Sequence, residues 1–307
     1  MIDIIKAFLD KYNIKNKQAV IAFSAGPDSC ALARLLIEVK EEYNLDIILA
    51  YFNHMWRKEA IKEENFTQDF AKEFNIKYEI SKAPEGIQCS EETARDLRYE
   101  FLYNTAQKYK TDVVFLAHNK NDNIETLIYR LIKGTSVKGL SSIPEKREIY
   151  YRPMLKIEKK QILDYLAEIK QNYMIDKSNS DTKYKRNYIR NEILPLFKEV
   201  NPNFLNNIDN LITTSIYTSK ILDEVIQKAL NEICENSTIK RSSYLNYNVE
   251  YRYEILNSFL GSRLKYRDFK TIKKLDDFIL NNPHSKTSLN KCEFLRTRKD
   301  KIFIEKG

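Results

Sequence analysis

Apolar and polar positions along the chain follow two alternating rhythms. Gln18 to Phe23 (QAVIAF) is a short, nearly unbroken apolar run that stops at Ser24-Ala25-Gly26-Pro27-Asp28-Ser29, after which Ala31, Leu32, Leu35, Leu36 and Val39 recur at helical spacing. This predicts a strand, a tight loop and a helix. The unit repeats: strands are predicted over Asp46 to Asn53, Ile76 to Ser81 and Asp112 to His118, and helices over Glu59 to Phe74, Glu91 to Lys108 and Asn121 to Lys133. Strands alternating with helices of this length predict an α/β fold, a parallel sheet covered on both faces. Ligands of such sheets sit at the carboxyl ends of the strands.

After Pro144 the rhythm changes. A short extended piece is expected around Tyr150 to Pro153, a helix from Glu158 to Ile169, and then a polar stretch, Asp176 to Arg190, with Pro195 and Pro202 marking its exit. Helical spacing returns from Phe204 to Cys234, followed by a helix over Arg267 to Leu280 and two short strands around Lys291 to Arg296 and Lys301 to Ile304. A single core stops growing at roughly 250–300 residues, so 307 residues favour two unequal domains. The boundary is expected at the Phe204 helix, giving residues 1–203 and a smaller, mainly helical domain of residues 204–307.

Composition narrows the function classes. With 51 Lys+Arg against 43 Asp+Glu the chain carries a formal charge of +8, and its 20 Tyr and 15 Phe suit a surface that meets phosphates with cations and bases with rings. The longest uncharged apolar run, Ile47 to Phe52, falls far short of the roughly 20 residues of a membrane span. Met1 to Ile14 is interrupted by Asp3, Lys6, Asp10 and Lys11, so it reads as an amphipathic helix and not a signal peptide. Cys30, Cys89, Cys234 and Cys292 form no CxxC pair, which speaks against a disulfide framework or a metal cluster and for a cytoplasmic protein with reduced thiols.

The loop Ser24 to Ser29 is the sharpest chemical signal. A strand that ends in small and hydroxyl residues and restarts as a helix aims free N–H groups and a positive dipole end at one point, which suits a phosphate. Ser24 and Ser29 can add hydroxyl donors, and Asp28 can hold a divalent cation bridging phosphate oxygens. Neither a Walker motif nor G-x-G-x-x-G is present. An ordinary strand-to-helix turn capped by Asp28 or Ser29 is the plainer alternative. Asn53-His54 closes the second strand, where a lone histidine is commonly a structural hydrogen-bonder. Arg95 and Arg98 share a helix face, suiting phosphates or surface pairs with Glu91, Glu92 and Glu100. His118, Asp122, Glu125, Thr126 and Arg130 form a second constellation where the fourth strand hands over to a helix. Its two carboxylates lie one turn apart, and such a pair can hold a metal, attract the ammonium groups of an amine, or cap the helix.

These stretches resemble a known family. Ser24-Ala25-Gly26-Pro27-Asp28-Ser29 is similar to the S-G-G-x-D-S hallmark of the PP-loop ATP pyrophosphatases, with Ala25 in place of the usual second-position glycine. An alanine there is strained if the backbone needs φ > 0. His118, Asp122, Glu125, Thr126, Arg130, Gly134, Gly139 and Leu140 match the longer pattern of one branch, the tRNA(Ile)-lysidine synthetases. Arg152-Pro153-Met154-Leu155, then Asp176, Ser178, Asn179, Tyr184, Arg186, Asn187, Arg190 and Pro195, continue the match over about the first two hundred residues. Tyr51 stands where that branch usually has a histidine, three positions before His54. The last residue, Gly307, suggests the short form of the branch.

The resemblance implies a PP-loop (adenine nucleotide alpha hydrolase-like) catalytic domain that uses ATP to adenylate the wobble cytidine of a CAU-anticodon tRNA(Ile), after which free L-lysine displaces AMP. In that scheme Ser24 to Ser29 cradle the triphosphate with Mg²⁺ at Asp28, and Asp122 and Glu125 meet the ammonium groups of lysine. Arg98 and Arg190 pair with its carboxylate or with phosphate oxygens, and His118 takes the proton of the attacking amine. The C-terminal domain, with Lys240, Arg241, Arg263, Lys265 and Arg267, is the candidate for gripping the tRNA body, a solvated basic surface being the alternative. A homodimer is an admitted partner state. The rival readings are another PP-loop RNA-modifying enzyme such as a cytidine thiolase, a small-molecule amidating ligase, and a non-catalytic basic RNA-binding protein.

Overall fold

Residues 1–55, 60–84, 91–175, 185–264 and 268–306 are described by the computed structural model. Glu59, Cys89, Asp176, Ser178, Asn179, Tyr184, Lys265, Arg267 and Gly307, all singled out above, lie outside the described residues.

The first unit comprises residues 1–134 and 141–212. It begins with α1 (Ile2–Lys11), whose Ile5, Phe8 and Leu9 form one buried face. The expected alternation follows: β1 (Lys17–Ala22), α2 (Pro27–Val39), β2 (Leu45–Asn53), α3 (Ala60–Glu73), β3 (Lys77–Lys82), α4 (Glu91–Lys108), β4 (Val114–Phe115) and α5 (Lys120–Lys133). A hairpin, β5 (Lys146–Arg147) and β6 (Tyr150–Tyr151), then leads into α6 (Lys159–Glu168). The sheet order is β3-β2-β1-β4-β6-β5. All neighbours are parallel except β5 and β6.

Both faces of this sheet are dry, which is why its central strands read as continuous apolar runs. Ile21, Ile47, Leu49 and Phe115 pack with α1 and α2 side chains such as Leu9, Leu32 and Leu36. Their alternate neighbours Val20, Ile48, Ala50 and Val114 pack on the other face with Leu102 and Ala106 of α4.

Two local expectations change. The strand expected over Asp112 to His118 pairs only at Val114–Phe115, because after Leu116 the chain leaves the ladder to build the cap of α5. The end of the polar stretch is helical: α7 (Lys185–Tyr188), a π turn over Ile189–Ile193 and α8 (Leu194–Val200). Pro195 lies where the π turn passes into α8; it has no N–H to donate back into the preceding turn, and the wider π turn accommodates that missing bond.

The division into units falls after Ile212, inside α9 (Phe204–Ile233), whereas the sequence suggested its first residue. The second unit also takes Thr135–Leu140, and Lys138 of that segment pairs with Asp223 at 2.7 Å and Glu254 at 3.5 Å. This unit continues with β7 (Cys234–Glu235), β8 (Thr238–Lys240), α10 (Arg241–Leu245), α11 (Val249–Leu260), α12 (Phe269–Asn281), β9 (His284–Ser288), β10 (Glu293–Arg298) and β11 (Lys301–Lys306). Its helices accompany a five-stranded antiparallel sheet, β7-β8-β11-β10-β9, wider than the two strands expected. Ile239, Leu295 and Ile302 of that sheet join Leu256, Ile279 and Tyr244 in one core.

Candidate active site

The loop after β1 is held by its own side chains. Ser24 N–H donates to Ser29 Oγ at 3.1 Å, Ser29 Oγ–H donates to the Gly26 carbonyl at 3.0 Å, and the two serine hydroxyls lie 3.2 Å apart. Ser29 therefore closes the loop with its own hydroxyl. Pro27 opens α2, and the helix geometry leaves the Asp28 and Ser29 N–H groups without intrahelical acceptors. These N–H groups and the helix dipole suit an anion.

Ala25 has φ = 58°, so the position does require the left-handed conformation. The cost, about 1–2 kcal/mol for a non-glycine residue, is opposed by burial of its methyl group in the core and by a hydrogen bond from Met174 N–H to its carbonyl at 2.8 Å. Gly26 adopts an ordinary extended conformation, and a Cβ there would meet only Ser24 Oγ, at 3.5 Å.

Asp28 is engaged on both oxygens. Asn119 Nδ2 donates to Oδ1 at 3.0 Å, and Lys159 Nζ donates to Oδ2 at 2.6 Å. Asn119 is also the N-cap of α5: its Oδ1 accepts from Asp122 N–H, and Asp122 Oδ2 accepts from Asn119 N–H, both at 3.0 Å. One turn later Glu125, 2% exposed, is gripped by Arg190 through Nε at 2.7 Å and Nη2 at 2.9 Å. Nη2 reaches Asp122 at 3.3 Å as well. Loop, cap and carboxylates thus form one connected network, Asp28–Asn119–Asp122–Arg190–Glu125. Arg190 was expected to face a ligand. It is ion-paired with both carboxylates through Nε and Nη2, and among the described residues no acceptor faces its Nη1.

Electrostatics redistribute the expected roles. Burial, reinforced by the charges of Glu125 and Asp28, raises the Asp122 pKa to about 6, against the lowering effect of Asn119 N–H and Arg190. Burial also lowers the His118 pKa to about 3, helped by the charges of Arg152, Arg98, Arg186 and Arg95. His118 is therefore a neutral imidazole with little affinity for a proton. Its Nδ1 finds no hydrogen-bond partner among the described residues.

Several other singled-out residues make contacts within the protein. Arg95 and Arg98 both flank the Tyr99 ring, at 5.3 and 5.9 Å from its centroid. Tyr51 donates to Glu63 at 2.7 Å, and the His54 ring lies 5.0 Å from that of Phe52. Arg130 donates to the Ser142 carbonyl at 2.9 Å, and Arg152 to that of Pro144 at 3.0 Å. At Gly139 any side chain would collide with Thr135, whose Oγ1 lies 1.8 Å from the position a Cβ would take. In the second unit Arg241 caps the end of α12 through the carbonyls of Ile279 and Leu280, at 3.0 and 2.9 Å, so its guanidinium is not a free tRNA grip. Arg263 faces Glu293 at 3.5 Å.

Sequence reasoning missed Asn119 and Lys159. The first carried a readable signal, an Asn-x-x-Asp capping box at the start of α5. Lys159 carried none, since 131 residues separate it from Asp28.

Residues 2–197 match a family model described as a PP-loop domain. The chain is 33% identical over 262 residues to the tRNA(Ile)-lysidine synthase of Clostridium tetani, covering 80% of this chain and 56% of that one. It is 37% identical over 215 residues to the tRNA(Ile)-lysidine synthase of Thermosipho africanus, covering 66% and 50%. The chain spans about half the length of these curated relatives. Among solved structures it is similar in fold to the U34-tRNA thiolase NcsA from Methanococcus maripaludis, with a TM-score of 0.57 at 17% identity over 69% of this chain and 77% of that one.

Proposed function

The chain belongs to the PP-loop domain family, which uses ATP, and from that premise we propose that it is a tRNA(Ile)-lysidine synthetase. ATP adenylates the oxygen on carbon 2 of the wobble cytidine of a CAU-anticodon tRNA(Ile), releasing pyrophosphate. The amine of free L-lysine then attacks that carbon and AMP leaves, so that the modified anticodon reads AUA in place of AUG. The observation that carries this reading is the connected network at the strand ends. Asn119 ties the phosphate-suited loop at Asp28 to the carboxylates that suit an amine substrate.

The chain's own groups divide the work. The N–H groups at the start of α2 receive the triphosphate. Asp122, shared with Arg190, attracts an ammonium group of lysine, and Arg190 Nη1 takes the lysine carboxylate. With a pKa raised to about 6, Asp122 also accepts the proton of the attacking amine, the role His118 is too weakly basic to fill. Asp28, a hard oxygen donor at the start of α2, would be the residue that holds a magnesium ion brought in with the triphosphate. When bound, that ion neutralises charge growing on the leaving pyrophosphate. Lys240 and neighbouring basic side chains of the second unit meet the tRNA body, and the reaction takes place in the cytoplasm.

Cys30 favours this reading over sulfur transfer. Although it follows the loop, it is buried, and desolvation followed by the charge of Asp28 pushes its pKa well up, so it remains an unreactive thiol. The test mixes purified protein, Mg-ATP, labelled lysine and unmodified tRNA(Ile) with a CAU anticodon, then counts acid-precipitable label. Label that depends on ATP and on the wobble cytidine is expected. Pyrophosphate release without lysine incorporation would overturn the assignment.

A further inference from the structure

The Asp28 carboxylate proposed to hold magnesium is engaged on both oxygens: Asn119 Nδ2 donates to Oδ1 at 3.0 Å and Lys159 Nζ to Oδ2 at 2.6 Å. A divalent cation and an ammonium group cannot share one carboxylate oxygen without strong repulsion. A metal that takes Oδ2 therefore displaces Lys159 from Asp28. The lysine cannot go far, because it is the first residue of α6 and its backbone N–H is pinned by Asn121 Oδ1 at 3.0 Å. Glu158, the neighbouring carboxylate, is already paired with the buried Lys120 at 2.9 Å. The negative charge that enters with the metal is the triphosphate itself.

We propose that Lys159 is an exchange residue: it neutralises Asp28 in the empty site, and on nucleotide binding it releases Asp28 to the metal and takes a phosphate oxygen. This deepens the function proposed above and rests on its placing of the triphosphate at Ser24 to Ser29 with a cation at Asp28. The exchange has two consequences of opposite sign. Without nucleotide, Lys159 competes with the metal and keeps metal affinity low. With nucleotide, it adds a charge-assisted hydrogen bond and raises the affinity for the metal–nucleotide complex. Metal and nucleotide consequently bind as a pair, each removing an obstacle to the other.

The test uses the full chain and two readouts other than lysidine formation: Mn²⁺ binding to nucleotide-free protein by electron paramagnetic resonance, and Mg-ATP binding by equilibrium dialysis. Lys159→Met is expected to bind Mn²⁺ about tenfold more tightly than wild type and Mg-ATP about tenfold more weakly. Adding Asp28→Asn to Lys159→Met should abolish the gain in Mn²⁺ affinity, which locates that gain at Asp28. Lys159→Arg retains the charge and should keep nucleotide-free Mn²⁺ binding weak while recovering most of the Mg-ATP affinity. A lysine that merely pairs with Asp28 predicts that Lys159→Met binds Mg-ATP as well as wild type or better, and that result overturns the proposal. Unchanged Mn²⁺ binding in Lys159→Met overturns it too. Opposite shifts in a protein that makes no lysidine would sustain the exchange and reject the lysine substrate.

Discussion

Asp122 is the side chain whose environment says most about the chemistry. Its carboxyl holds a proton more tightly in the folded protein, up to about pH 6, than in the unfolded chain, because burial and two neighbouring carboxylates disfavour its charge. A group raised in this way contributes stability that is fully present below about pH 4 and is lost as the pH rises through 6. Asp122→Asn removes the buried charge yet keeps an oxygen for Asn119 N–H. It is therefore expected to be more stable than wild type at pH 8 in urea unfolding, with the gain shrinking to nothing near pH 4. The rate of lysine incorporation should rise with a midpoint near pH 6 as Asp122 ionises. An inflection that instead followed an ordinary histidine and vanished in His118→Gln would contradict the assignment of the base.

At the scale of elements, the start of α5 does two things at once. Asn119 caps the helix and also positions Asp28. Asn119→Ala should lower stability by about 1 kcal/mol, the usual worth of an N-cap, and weaken ATP binding as well. Asn119→Ser, which can cap but whose shorter side chain does not reach Asp28, should recover the stability in a melting experiment without recovering nucleotide affinity. In the second unit α11 and α12 are joined by a buried ion pair: Arg252 Nε and Nη2 donate to Asp276, each at 2.9 Å, and Tyr244 O–H donates to the same carboxylate at 2.6 Å. Asp276 is 1% exposed, so Arg252→Leu leaves a buried charge without its countercharge and should cost roughly 3–5 kcal/mol in chemical denaturation. Capping was readable in the Asn-x-x-Asp spacing of α5. The Arg252–Asp276 pair was not, because 24 residues and a turn separate two positions that on sequence look like solvated helix faces.

Over the whole molecule, a formal charge of +8 makes the proposed tRNA binding an interaction that weakens with salt. Binding of the tRNA should weaken by at least about tenfold between about 50 and 200 mM salt, measured by filter binding; a flat response would deny phosphate contacts a leading part. No helix among the described residues is long and apolar enough to cross a membrane. The parallel sheet, the loop after β1 and the carboxylate pair of α5 were all legible beforehand, since each rests on local order: apolar runs of strand length, helical spacing, and short motifs whose residues are neighbours along the chain. What local order leaves open is which charges meet after folding. Arg190 on Glu125 and Lys159 on Asp28 are contacts across long stretches of chain, and the neutral state of His118 comes first from burial and then from the charges of distant arginines. They are set by packing, because burial removes the water that would screen each charge, and only the completed fold says which partner replaces it. The sequence therefore fixes which polar groups lie near the loop and the start of α5, and the fold decides their counterions and the protonation they favour.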